Sequence, residues 1–358
     1  MQFRSLFRVV VQFVTLAFLV ASTSQSLREA ANASGLLIGT AVRPSALLSE
    51  PAYAATVARE FNMVEPEDAM KWLTVRRESS AFDFRQADDI VNFALAHGMK
   101  IRGHCLVWDH DNPDWLQRGH YTTPQVSELL HEHIVRVMHR YIGKVFAWDV
   151  VNEALDENGE LRDSIWYNQP GIGFANKGTD YIEQALRWAH EADHTALLFY
   201  NDNGGEGLNR KSDAIYAMVK DFKNRHVPID GIGLQMHVSR LDYNVDAVGK
   251  NIERLTKLGL QVHITELDVS LPVDSQGKAN DADIQRQADI YRGIVRVCLQ
   301  NPGCTAIQTW GFTDKYSWIG SHSRGARGAA LPFDRQYKPR PAYEAILQEL
   351  ASGRKAKH

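Results

Sequence analysis

Runs of a single charge sign are missing from this chain. It holds 40 basic and 43 acidic residues, for a net charge of −3, and no Lys/Arg-rich stretch. Without a basic field nothing grips a phosphate backbone, which argues against nucleic-acid binding. Zinc-ligand spacing is also absent. The His-rich stretch "HEHIVRVMH" (131–139) falls on a helical pattern and reads as a solvated face. The first strand-like run, "LLIGTAVRPS", lacks the G-x-G-x-x-G turn with which a doubly wound nucleotide-binding sheet usually begins. No Pro/Ser/Gly-rich linker divides the chain. Cysteine is scarce: only Cys105, Cys298 and Cys304 occur. Cys298 and Cys304, close together across "LQNPG", make a plausible pair, and Cys105 reads as a buried structural thiol.

Long apolar runs are missing as well, apart from Val9–Ala21. Arg4 and Arg8 precede it and "STSQS" follows, which is the pattern of a secretory signal. The run is short for a membrane span, and Gln12 and Thr15 interrupt it, so an uncleaved anchor is the weaker alternative. The expected plan is a signal peptide over 1–26, one folded domain over 27–352 and a short basic tail over 353–358. Export to the periplasm or the medium follows from that plan, and export permits disulfides.

What is present is an ordinary globular composition, 44% hydrophobic and 23% charged, in 358 residues. Eight strand-like runs recur, at 36–42, 61–67, 100–108, 145–153, 196–202, 231–238, 261–269 and 306–312. Amphipathic stretches separate them. The clearest spans 124–141, with Thr123 as N-cap, Pro124 at the first helical position and Gly143 after its end. Others cover 86–97, 180–193, 212–226, 246–258, 282–299 and 341–351. Strand–helix alternation implies parallel strands joined by crossovers, and eight units imply an α/β fold closed into a (β/α)₈ TIM barrel.

In such a barrel the C-terminal strand ends form the active face. Polar and aromatic residues gather there: Glu67, Asp68 and Lys71 after the second run, His104 and Trp108 on the third, Asn152 and Glu153 closing the fourth. Asn201 and Asp202 end the fifth; Gln235 and His237, Glu266 and Asp268, and Trp310 follow on the last three, with Trp318 just beyond. Any one of them is unremarkable for a strand end; the set is not. Glu153 and Glu266, on strands that face each other across the mouth, suit glycosidic-bond hydrolysis, in which one carboxyl donates a proton and the other attacks. Indole rings suit the apolar faces of sugars.

At these residues the sequence resembles glycoside hydrolase family 10, the retaining endo-β-1,4-xylanases. The matching stretches include "AMKW" (69–72), "RGHCLVW" (102–108), "WDVVNEAL" (148–155), "YND" (200–202), "GIGLQMHV" (231–238), "ITELDV" (264–269) and "WGFTDKYSWI" (310–319). The resemblance implies Glu153 as acid/base and Glu266 as nucleophile. It implies Asn152 bonding the sugar 2-hydroxyl, and His237 bonding Glu266 while Asp268 holds it. Lys71, His104 and Gln235 would line the subsite of cleavage. Trp108, Trp310 and Trp318 would shape the glycone side, with Glu67 bonding the next sugar outward, and Cys298–Cys304 would be a disulfide. A neutral His237 is expected, since it would restrain Glu266 without cancelling its charge. The implied substrates are xylan and xylo-oligosaccharides. No metal or other cofactor is implied, so EDTA is expected to leave the rate unchanged, and the protein is expected to be a monomer. A β-glycosidase acting on cello-oligosaccharides, or a sugar-binding barrel without turnover, are the alternatives. Three departures from the family pattern occur: Asp68 where Asn is usual, "DHD" (109–111) after Trp108, and a glycine-rich "NDNGGEG" (201–207). Asp accepts but does not donate, so altered affinity or chain-length preference is expected, not loss of reaction.

Overall fold

The computed structural model describes residues 25–353. The predicted signal peptide, all but its last two residues, and all but the first residue of the basic tail lie outside the described residues. Among the described residues no helix is long and apolar enough to cross a membrane.

Eight parallel strands close into a barrel: β1 (Leu37–Val42), β2 (Met63–Pro66), β3 (Lys100–Val107), β4 (Ala147–Asn152), β5 (Leu197–Asp202), β6 (Gly231–Leu234), β7 (Gln261–Val269) and β8 (Cys304–Thr309). Each pairs with its neighbour in sequence. Closure comes from β8 on β1, where Leu37 lies opposite Ala306 and Thr40 opposite Thr309. The strands are buried on both faces, which is why they read as near-continuous apolar runs and not as alternating ones. The sixth run breaks after Leu234, and its remainder forms a short strand, His237–Val238, beside β7.

The crossover helices follow the predicted periodicity. Helix Thr123–Tyr141 buries Val126, Leu130, Ile134, Val137, Met138 and Tyr141 against the barrel. Its N-cap is Thr122, one residue earlier than predicted. The Gln125 side chain accepts the Thr122 N–H at 2.8 Å, and Pro124 becomes the second helical residue. His133 on the same helix corrects the solvated-face reading of 131–139: its ring is fully buried and stacks on Trp72, with centroids 3.7 Å apart. Helix Arg85–Ala96 ends as expected at Gly98, whose φ of 59° is left-handed backbone that glycine tolerates best. Helix Leu27–Ser34, outside the predicted set, starts with a Ser26/Glu29 capping box and packs on the C-terminal helix Pro341–Ser352. Cys298 and Cys304 are bonded, tying the end of helix Asp281–Gln300 to the start of β8. Cys105 is free and buried.

Candidate active site

A strand sends consecutive side chains to opposite faces, so Asn152 and Glu153 cannot both face the barrel mouth if β4 simply continues. The backbone solves this at Glu153, where φ is 54°, left-handed for a non-glycine residue. The Glu153 N–H stays on β5, donating to the Asn201 carbonyl at 2.9 Å. Both side chains then reach one amide. Gln235 Nε2 donates to Glu153 Oε1 at 2.8 Å and to Asn152 Oδ1 at 3.2 Å. Trp108 Nε1 donates to the other carboxylate oxygen of Glu153 at 3.1 Å.

Glu266 sits across the mouth on β7 and is nearly buried. Asn201 Nδ2 donates to Glu266 Oε1 and to Asn152 Oδ1, both at 2.8 Å. The two carboxylates are thus joined through Gln235, Asn152 and Asn201. Thr265 Oγ1 fixes the Asn201 amide by donating to its Oδ1 at 2.7 Å. The second oxygen of Glu266 lies 3.2 Å from His237 Nε2, while His237 Nδ1 lies 3.0 Å from Asp268 Oδ2. Burial pushes the Glu266 carboxyl up, but His237, the charge of His104 and the Asn201 amide outweigh it and hold the carboxyl below its ordinary value. The same balance runs the other way at His237. Burial disfavours its charge, yet Asp268 and Glu266 raise its proton affinity well above the usual histidine range. Asp268 and Glu266 thus favour the protonated ring, where the sequence reading took a neutral one.

The remaining predicted residues surround this centre. Trp318 Nε1 donates to Asp268 Oδ2 at 2.8 Å and the ring meets His237 edge-on. Trp310 is largely buried, with His104 and His237 against it edge-on. Lys71 Nζ lies over the Trp108 and Trp310 rings, 5.0 and 5.7 Å from their centroids, and bonds Asp68 Oδ1 at 2.8 Å. The unusual Asp68 is thereby partly offset by a lysine. Glu67 is held by Arg43, whose Nε and a terminal nitrogen donate to its two oxygens at 2.7 and 2.5 Å. Arg43 carried no sequence signal. In "DHD", Asp109 Oδ1 pairs with His110 Nδ1 at 2.6 Å, and the Asp111 carbonyl accepts the Leu73 N–H.

Two sets of functional residues escaped sequence reasoning. The first is a charged tier below the mouth. His104 Nδ1 lies 3.0 Å from Asp149 Oδ2, and Arg102 bridges Asp149, Glu65 (3.3 Å) and His263 Nδ1 (2.7 Å). Burial disfavours ionisation of both acids. Arg102 and His104 overcome it at Asp149, which stays below its ordinary value, while Glu65, beside that anion, is pushed up to about 8. The ligand atoms of Glu65, His104 and Asp149 fall within 4.8 Å of one another, but Arg102 already supplies the cation there. The second is Glu206, in the glycine-rich loop. Its buried Oε1 accepts the Gly204 and Met236 N–H groups at 2.9 and 3.2 Å. The loop after β5 therefore braces the backbone between Gln235 and His237. Gly204 has a φ of 69°, left-handed backbone that glycine tolerates best, and a Cβ on Gly205 would press on the end of the Ile215 side chain at 2.8 Å.

Comparison with known proteins adds an independent line. Residues 26–349 match glycosyl hydrolase family 10. Endo-1,4-beta-xylanase B of Thermotoga neapolitana is 41% identical over 296 residues, 83% of this chain and 82% of that protein. The crystal structure of native xylanase 10B from Thermotoga maritima superposes with a TM-score of 0.86 at 41% identity, covering 91% of this chain and 98% of that one. Xylanase 10B from Thermotoga petrophila, solved in complex with xylobiose, gives 0.86 at 40% identity over 92% and 98%. With nearly the whole described chain matched in sequence and in fold, the protein belongs to glycosyl hydrolase family 10.

Proposed function

We propose that the protein is an exported endo-β-1,4-xylanase that cleaves internal bonds of xylan with retention, Glu266 serving as nucleophile and Glu153 as acid/base. The observation that carries this is the setting of Glu266: a nearly buried carboxyl bonded by His237 and Asn201, which together hold it below its ordinary proton affinity. An ionised, immobile carboxylate is what attack on an anomeric carbon requires. The names of the relatives and the xylobiose complex of a neighbour support the substrate class. Export rests on the N-terminal signal pattern.

In the first half-reaction Glu266 attacks the anomeric carbon while Glu153 gives its proton to the departing oxygen. In the second, the Glu153 carboxylate takes a proton from water, which displaces Glu266. Retaining enzymes place the two carboxyls about 5–5.5 Å apart, and the chain of three amides between Glu153 and Glu266 suits a fixed separation. Asn152, tied to both sides of that chain, is placed to bond the sugar 2-hydroxyl.

The test is chemical rescue. Glu266→Gly should lose hydrolysis, and added azide with an activated aryl xylobioside should yield an α-glycosyl azide. A β-azide, or no product, would overturn the assignment of Glu266. Products from xylan should form a ladder of oligomers; release of xylose alone would exclude internal cleavage. Comparing rates on xylan, carboxymethylcellulose and mannan tests the sugar class.

A further inference from the structure

The loops after β7 and β8 enclose a second cavity on the same rim, outside the Trp318 wall. Its volume is about 680 Å³, a size typical of small-molecule sites. Its charge departs from that of the chain. Lys278, Lys315, Arg327, Arg335 and Arg340 line it against only Asp314 and Asp334, although the chain carries a net charge of −3.

Two of these cations are already matched. Arg340 pairs with Asp314, and Lys315 Nζ bonds Glu50 at 2.6 Å. Asp334 is turned to the N–H groups of Gln336 and Lys338. Lys278, Arg327 and Arg335 have no carboxylate within ion-pair distance among the described residues. Asp274 beside Lys278 spends its Oδ1 on the N–H groups of Gln276 and Lys278. Arg327 is held rigidly by neutral oxygens. Its Nε donates to Ser270 Oγ at 2.9 Å, and a terminal nitrogen to the Ser239 and Ser270 carbonyls at 2.6 and 2.5 Å. A fixed guanidinium without an anionic partner, lining one cavity with two exposed cations, suits a carboxylate ligand.

The cavity also communicates with the cleft. Arg327 lines a smaller hollow of about 300 Å³ together with His237, Asp268 and Trp318. Asp268 Oδ2 is engaged there by His237 and Trp318, while its Oδ1 is buried. A group entering this cavity can therefore arrive as a branch of the polymer lying in the cleft. Ser317 and Ser321 supply hydroxyls on its wall.

Resting on the xylanase reading above, we propose that this cavity receives a uronate side branch of xylan, its carboxylate held by Arg327, Arg335 and Lys278, so that acid-branched xylan is a preferred substrate. The test uses the exported protein with glucuronoxylan, with the same polymer after its carboxyl groups are reduced to alcohols, and with linear xylohexaose. Reduction removes the charge and leaves the branch nearly the same size. The expected wild-type kcat/KM is about fivefold higher on the acidic polymer than on the reduced one, the scale of one or two partly exposed ion pairs. In the double variant Lys278→Ala/Arg335→Ala the ratio should fall to about one, with xylohexaose turnover unchanged. Both residues are exposed, so the fold is not at risk. A wild-type ratio near one, a ratio the double variant leaves intact, or equal loss on all three substrates would each overturn the proposal. Calorimetric titration with glucuronic acid reads the cavity without turnover: heat of binding in the wild type and none in the double variant is expected, and no heat in either would also overturn it. Inactivity of the wild type on xylohexaose would instead sink the xylanase reading, leaving the titration to decide the cavity.

Discussion

Replacing His237 with Asn tests the electrostatic core of the mechanism. Asn is close in size and still donates a hydrogen bond, but it carries no charge. In the wild type, His237 lies between Glu266 and Asp268 at 3.2 and 3.0 Å, and both carboxylates favour its protonated form. A hydrogen bond to a charged group contributes about 1.5–3 kcal/mol, and 1.36 kcal/mol corresponds to about one pH unit. Losing the imidazole therefore raises the Glu266 pKa; the Asn201 bond and the charge of His104 remain and limit the rise. The sign follows from the direction of the shift. Glu266 is depressed in the folded protein, so the nucleophile stays ionised until the pH falls through a value below the ordinary glutamate range. In His237→Asn the acidic limb of kcat/KM against pH, measured with an aryl xylobioside, should move to higher pH while the alkaline limb stays in place. An acidic limb that does not move would refute the claim that His237 sets the charge of the nucleophile.

Other outcomes follow from single contacts. Asn201→Ala removes the amide joining Asn152 to Glu266, and kcat should fall about a hundredfold with little change in KM, since misplaced reacting groups lose rate more than binding. His133, buried with neither ring nitrogen hydrogen-bonded, has its proton affinity pushed well below normal by burial and by Arg76. The unfolded chain thus binds the extra proton as pH drops below about 6.5, and His133→Phe should lessen the loss of melting temperature between neutral and mildly acidic buffer. Cys298→Ser/Cys304→Ser opens a loop with a sequence separation of only 6 and should lower unfolding free energy by about 2 kcal/mol in denaturant titration.

The barrel was readable because parallel strands buried on both faces leave apolar runs, and because polar residues at their ends break those runs. Glu153, Glu266, Gln235 and His237 stood out for that reason. The charged tier did not. Glu65, Arg102 and Asp149 lie inside strand runs, where a lone acid or base has no local pattern, and their partners are set by barrel closure. Arg43 and Glu206 were hidden likewise, since each acts on a backbone or carboxylate from another loop. The pull of Asp268 and Glu266 on the His237 proton was not legible, because it depends on two acids being brought to the same ring, which sequence spacing does not convey. Thr122 was displaced by its neighbour Thr123 because either can cap a helix, and only the reach of Gln125 decides.

Contacts across the barrel interior bear on how the chain is made. The Gln308–Glu65 and Arg102–His263 contacts span 243 and 161 residues of sequence. Until the last stave is in position, a guanidinium and two acids sit in an open trough with part of their complement unborn. A nascent polypeptide that has not yet reached β8 (Cys304–Thr309) has no finished floor beneath its future cleft, so assembly waits for that strand.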